Sequence, residues 1–167
     1  MNLREELTNA LKGRVVVMGM GNPCRGDDGA GSRVAQRIYG GGSVHVIDAQ
    51  DVPENHLRQI VRHRPDTILL IDAVEMNSPP GSVALLGKNQ TTGYWPSTHR
   101  VPMSLIVKYL ERETQAEIFL VAIQPLQAEF MQSMSAEVAG IIDGLADVVN
   151  EVLANRGNVT GLDSQAA

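Results

Sequence analysis

A glycine-rich stretch, Gly19-Met20-Gly21-Asn22-Pro23-Cys24-Arg25-Gly26, runs directly into two adjacent carboxylates, Asp27 and Asp28. Two further groups of catalytic type stand far along the chain. Asp72 closes an apolar run, and His99 sits in the polar stretch Ser97-Thr98-His99-Arg100. Two carboxylates and an imidazole, brought together, would make a three-point site for a divalent transition metal. Imidazole suits nickel, zinc and iron, and carboxylate broadens that range. Three protein ligands leave positions open for groups that a substrate brings.

Each of these residues also has a plainer reading. An Asp ahead of a helix commonly caps it, a role that contributes about 1 kcal/mol. That reading covers Asp27. For Asp28, capping and compensation of the helix dipole stand level with a role as ligand. Asp72 is harder to explain this way, because a carboxylate closing a strongly apolar strand has to be paired, capping or functional. A loop histidine such as His99 can simply be solvated. His45, His56 and His63 show no partner pattern and read as structural or solvated. Cys24 has no activating base near it in sequence and reads as a loop residue.

The elements that would position these groups can be read from pattern. Residues 2–12 read as a short helix or an ordered arm, ended by Gly13. The β-branched run 14–20 reads as a buried strand bounded by glycine. Ala30, Val34 and Ile38 then repeat every four residues and mark one helix face, which Gly40, Gly41 and Gly42 terminate. The alternation continues with a strand at 43–49 and a helix that begins near Pro53 and carries Leu57, Ile60 and Val61. The run 67–72 is the most apolar strand and is expected to be central; 81–86 is expected to be antiparallel or at an edge. Segment 87–100 is loop-like. Pro102 suits the first position of a helix whose apolar face is Met103, Ile106, Val107 and Leu110. A last strand at 117–124 precedes a long helix over 135–154, and the tail from 155 is polar.

Strands alternating with helices imply a three-layer α/β/α fold with a mostly parallel, twisted sheet of about five strands, covered by helices on both faces. No linker or repeat divides the chain, so one domain over 1–167 is expected, with residues 1–13 as an arm and 155–167 as a flexible tail. In such sheets ligands bind beyond the carboxyl ends of the strands. Asp28, Asp72 and His99 would all lie after such ends or in the loops that face them.

Several functions are disfavoured. A dinucleotide fingerprint needs a third glycine where Cys24 stands, and no G-K-S/T comes after it for a phosphate loop. Two aspartates at a helix start repel an anion and suit a cation. The net charge of −5 argues against general nucleic-acid binding. With one cysteine there is no intrachain disulfide and no multi-cysteine zinc site. No run approaches the ~18 apolar residues of a membrane span, and the N-terminal stretch, with Glu5 and Glu6 and no long apolar run, lacks the pattern of a secretory leader. A cytoplasmic protein is the expectation.

Taken together, the segments resemble the maturation proteases of nickel–iron hydrogenases. Residues 19–31 look like that family's G-x-G-N-x-x-x-x-D-D/E-x-x-G signature. Val46-Ile47-Asp48 with Val52-Pro53-Glu54-Asn55, then Leu69-Leu70-Ile71-Asp72-Ala73, resemble its second and central strands and their turns. Ser97-Thr98-His99-Arg100-Val101-Pro102 resembles its histidine loop, and residues 118–125 its last strand. The similarity runs in order from about 14 to 152 and looks closest to the type that processes hydrogenase 3.

The resemblance implies an endopeptidase that removes the C-terminal extension of a hydrogenase large-subunit precursor after nickel insertion. It implies that Asp28, Asp72 and His99 contact the metal and that Asp28 and Asp72 are candidate bases, with Asp27 secondary. The nickel would be carried by the substrate and not held tightly by the free protein. The large-subunit precursor is the implied partner, with neither nucleic acid nor membrane. Three rivals stand beside this reading: a nucleotide- or small-ligand-binding α/β module, a nickel chaperone that never cuts, and a metallopeptidase with its own zinc, for which no H-E-x-x-H motif is present. The first lacks the third glycine, and the second would favour His- or Cys-rich tracts.

Overall fold

Continuous aliphatic runs make strands that are covered on both faces. In β1 (Val15–Met20) and β3 (Thr67–Ala73) every residue is buried. The computed structural model describes residues 2–88 and 101–156. The loop that contains His99 and the segment 157–167 lie outside the described residues. The other strands are β2 (Val44–Gln50), β4 (Val83–Gly87) and β5 (Glu117–Ile123). The helices are α1 (Leu3–Ala10), α2 (Ala30–Ala35), α3 (Leu57–Arg62), α4 (Met103–Glu113) and α5 (Ala136–Asn155).

The sheet order is β2-β1-β3-β5-β4. The first four strands in that order are parallel, and β4 runs antiparallel to β5 at the edge. β3 is central, as its apolarity predicts. Side chains alternate between two cores. Val15 and Val17, Leu69 and Ile71, and Val121 and Ile123 face α1, α2 and α5. Val16 and Met18, Ile68 and Leu70, and Leu120 and Ala122 face α3 and α4. Each buried aliphatic side chain contributes about 1.5–3 kcal/mol, so this two-sided burial, more than local propensity, holds the short helices in place.

The local differences from expectation have local causes. α2 has only six residues, because the chain tightens into i→i+3 bonds from Arg37 to Val34 and from Ile38 to Ala35. Ile38 is still buried, so the four-residue repeat marked the correct face. Pro102 stands at the N-cap of α4 and not at its first helical position, with an extended ψ of 136°. Segment 2–12 forms α1, closed by a capping box between Asn2 and Glu5, and Leu7 and Leu11 from it are buried in the core.

One pairing was not legible in the sequence. The rings of His45 and His63 stack with centroids 3.6 Å apart, and the side-chain amide of Gln59 lies 2.8 Å from His45 Nε2. Burial first, and then the neighbouring His63, hold His45 below its ordinary 6.5. As pH falls, the unfolded chain takes up this proton before the folded one does. Stability is therefore expected to decline as pH drops through 6.5. Thermal unfolding between about pH 7.5 and 5.5 measures this, and His45→Gln should flatten that part of the profile.

Candidate active site

The chain leaves β1 through α2 on one face to reach β2, then crosses through α3 on the other face to reach β3. The carboxyl ends of β1 and β3 therefore flank the point where connections diverge, the place where open α/β sheets bind ligands. The loop after β1 is built by close backbone contacts. Gly21 has φ +119°, its N–H donates to the Gln50 carbonyl at 2.7 Å, and a Cβ on it would lie 1.6 Å from the Asp28 carbonyl oxygen. Only glycine fits there. Asn22 folds the next turn by accepting from Cys24 N–H at 2.9 Å. Its own N–H donates to Asp28 Oδ2 at 2.9 Å. The carboxylate of Asp28 is thus turned back toward the loop and does not cap its own helix.

Asp28 belongs to a 3₁₀ turn, Gly26–Gly29, that runs into α2. At Gly31 a Cβ would sit 2.0 Å from the Ile71 carbonyl oxygen and 2.5 Å from that of Met20. Backbone of the α2 start therefore lies directly on the carboxyl ends of β3 and β1. Gly31→Ala is expected to push α2 off the sheet. The expected cost is about 1–3 kcal/mol or more, read as a lower Tm together with loss of activity, because the same contact places Asp28.

Asp72 comes directly after Ile71 and is fully buried. Its Oδ1 accepts from the Ala73 N–H at 2.9 Å. Strand alternation directs it to the face of α3 and α4. α4 precedes β5 and runs opposite to it, so it begins at the carboxyl edge of the sheet. Asp28, only 7% exposed, and Asp72 thus lie at the same edge of neighbouring strands. His99, the third residue expected here, lies outside the described residues. Among the described residues, no three His, Cys, Asp or Glu side chains are grouped to hold a metal ion.

Asp27 has a different role from either one anticipated for it. It is fully buried and does not cap its own turn. Its Oδ2 accepts from Leu126 N–H at 2.8 Å, Gln127 N–H at 3.1 Å and Ser135 Oγ at 2.8 Å, while Oδ1 accepts from Ser135 N–H at 2.7 Å. Ser135 in turn caps α5 by accepting from Val138 N–H. Asp27 therefore fastens the β5–α5 connection to the loop after β1, and its oxygens are fully occupied in doing so.

Gln124 also acts as a tie. It is buried, accepts from Met76 N–H at 2.7 Å and Ser78 N–H at 3.3 Å, and donates to the Pro125 carbonyl. Asp48 accepts from buried Ser32 Oγ at 2.7 Å and from Gln36 Nε2 at 2.9 Å, which locks α2 to β2. Residue type alone does not reveal these partners, most of which lie 12 to 108 positions apart.

Known proteins resemble this chain in sequence and in fold. A family profile described as hydrogenase maturation protease matches residues 30–153. A protein of Methanocaldococcus jannaschii assigned to the hydrogenase maturation proteases is 32% identical over 163 residues, covering 90% of this chain and 96% of its own length. The hydrogenase 3 maturation protease of Escherichia coli is 29% identical over 131 residues, covering 77% of this chain and 83% of its own. The crystal structure of a nickel–iron hydrogenase maturation protease from Thermococcus kodakarensis superposes with a TM-score of 0.82, at 27% identity, over 90% of this chain and 99% of that one.

Proposed function

Because the chain belongs to the hydrogenase maturation protease family, we propose that it is the endopeptidase that removes the C-terminal extension of a nickel–iron hydrogenase large-subunit precursor. It cuts after nickel insertion, and it recognises the nickel that the substrate carries. The observation that carries this reading is the pair of buried carboxylates, Asp28 and Asp72, at one edge of adjacent strands, with neighbouring Asp27 fully engaged elsewhere.

Charge and coordination number support this reading. A carboxylate is a hard oxygen ligand, and two of them with an imidazole leave coordination positions open for groups that a substrate brings. They suffice to complete the coordination of nickel already held by substrate thiolates. Asp28, Asp72 and His99 are the proposed contacts. A precursor without nickel offers them nothing to bind, so metal insertion has to precede cleavage.

In the chemical step a carboxylate accepts a proton from water as that water attacks the scissile carbonyl, then passes it to the departing amine. Nickel at the same edge can polarise the carbonyl. The reaction is in this sense of the aspartic type. We assign it to the cytoplasm, where the free, exposed Cys24 stays reduced. Among the described residues no helix is long and apolar enough to cross a membrane.

The deciding experiment incubates the protein with nickel-loaded and nickel-free large-subunit precursor and measures the masses of the products. Release of a C-terminal peptide from the loaded form alone is the expected result. Cleavage of both forms equally would remove nickel from recognition. Nickel transfer without any peptide released would make the protein a chaperone.

A further inference from the structure

Six large apolar side chains are exposed among the described residues: Tyr39, Val52, Leu105, Leu126, Phe130 and Met131. All but Tyr39 belong to segments at the carboxyl edge of the sheet. Val52 comes after β2, Leu105 is in the first turn of α4, and the other three come after β5. Single exposed hydrophobics are ordinary, whereas several close together mark an interaction surface.

The densest part of this group is the connection between β5 and α5. Within residues 125–134 Glu129 is the only charged residue. Phe130 is 64% exposed and Met131 79%. This exposure belongs to a firmly held loop. Met131 N–H donates to the Cys24 carbonyl, Gly26 N–H to Gln132, and Asp27 N–H to Gln127. The buried carboxylate of Asp27 adds four more bonds from the same loop and the start of α5. Met131 also has φ +66°, the left-handed region that glycine or asparagine adopts more readily. A side chain kept at a strained position, and aimed into solvent, points to a use for it.

We propose that Leu126, Phe130 and Met131 form an apolar docking surface for the large-subunit precursor. This inference rests on the function proposed above. The loop shares backbone hydrogen bonds with the segment that carries Asp28, so a substrate whose tail reaches Asp28 and Asp72 lies against it. The partner's matching surface is apolar and uncharged. Aromatic and methionine side chains are enriched in such contacts. The surface adds affinity that does not change between ground state and transition state, so it sets KM and leaves kcat alone.

The test uses the full-length protein and nickel-loaded precursor. The double variant Phe130→Ser with Met131→Ser should raise KM about tenfold with kcat held. Met131→Gly keeps the backbone at ease, so it should keep or raise Tm while still raising KM. Binding of precursor to the same variants, each carrying Asp72→Asn to block turnover, should weaken in parallel. If the wild type cleaves and both variants keep its KM within about twofold, the docking surface is wrong while the function stands. If the wild type does not cleave the precursor at all, both fall. A wild-type dimer that these variants split, with KM unchanged, would assign the surface to self-association and also overturn the proposal.

Discussion

Asp72→Asn is expected to lower the rate of precursor cleavage by about 10²–10⁴-fold while leaving the fold in place. The side chain is fully buried at the end of the central strand, and its Oδ1 accepts from the Ala73 N–H. Asparagine has the same size and keeps an oxygen for that bond. It removes the negative charge and the ability to take a proton, and puts an NH₂ in place of the second oxygen. A structural role would therefore appear as a drop in Tm with a proportionate loss of activity. A role in the chemistry appears as lost turnover at saturating precursor with Tm near that of the wild type. Turnover within about threefold of wild type, well short of the 10²-fold a base supplies, would remove Asp72 from the mechanism.

Asp27→Ala is expected to do the reverse, acting on stability before activity. Four donors converge on this fully buried carboxylate. Each donor left without a partner in a buried position costs about 1–3 kcal/mol. Leu126 is exposed and its loop can regain water, so the total is nearer about 3 kcal/mol than the sum. For a domain of this length that lowers Tm by about 6–12 °C. Asp27→Asn is expected to cost nearly as much, because its NH₂ would face Leu126 N–H, Gln127 N–H or Ser135 N–H wherever it is turned. A catalytic base would respond differently: the asparagine variant would be folded and inactive. Thermal unfolding and limited proteolysis within residues 125–134 separate the two cases.

Periodicity and residue type determined most of the architecture. The run at β1 read as a buried strand and the most apolar run, at β3, as the central one, since strands apolar along their length have to be covered on both faces. The spacing of Met103, Ile106, Val107 and Leu110 defined the buried face of α4, and Ser135 before an apolar run set the start of α5. The position of Asp28 and Asp72 after strand ends was likewise legible, because parallel strands deliver their succeeding loops to one edge of the sheet.

The division of labour between adjacent aspartates was decided by tertiary structure alone. Asp27 and Asp28 are chemically identical neighbours, and nothing local distinguishes them. One is taken up by Leu126, Gln127 and Ser135, about a hundred positions away, and the other turns to the N–H of Asn22 beside the edge of β1 and β3. Hydrogen-bond partners at that separation depend on which loops the sheet order brings together, and a pattern with a period of two or four residues carries no information about that order. The same reason explains why the His45–His63 stack and the exposed Phe130 and Met131 beside Cys24 emerged only once the chain was folded.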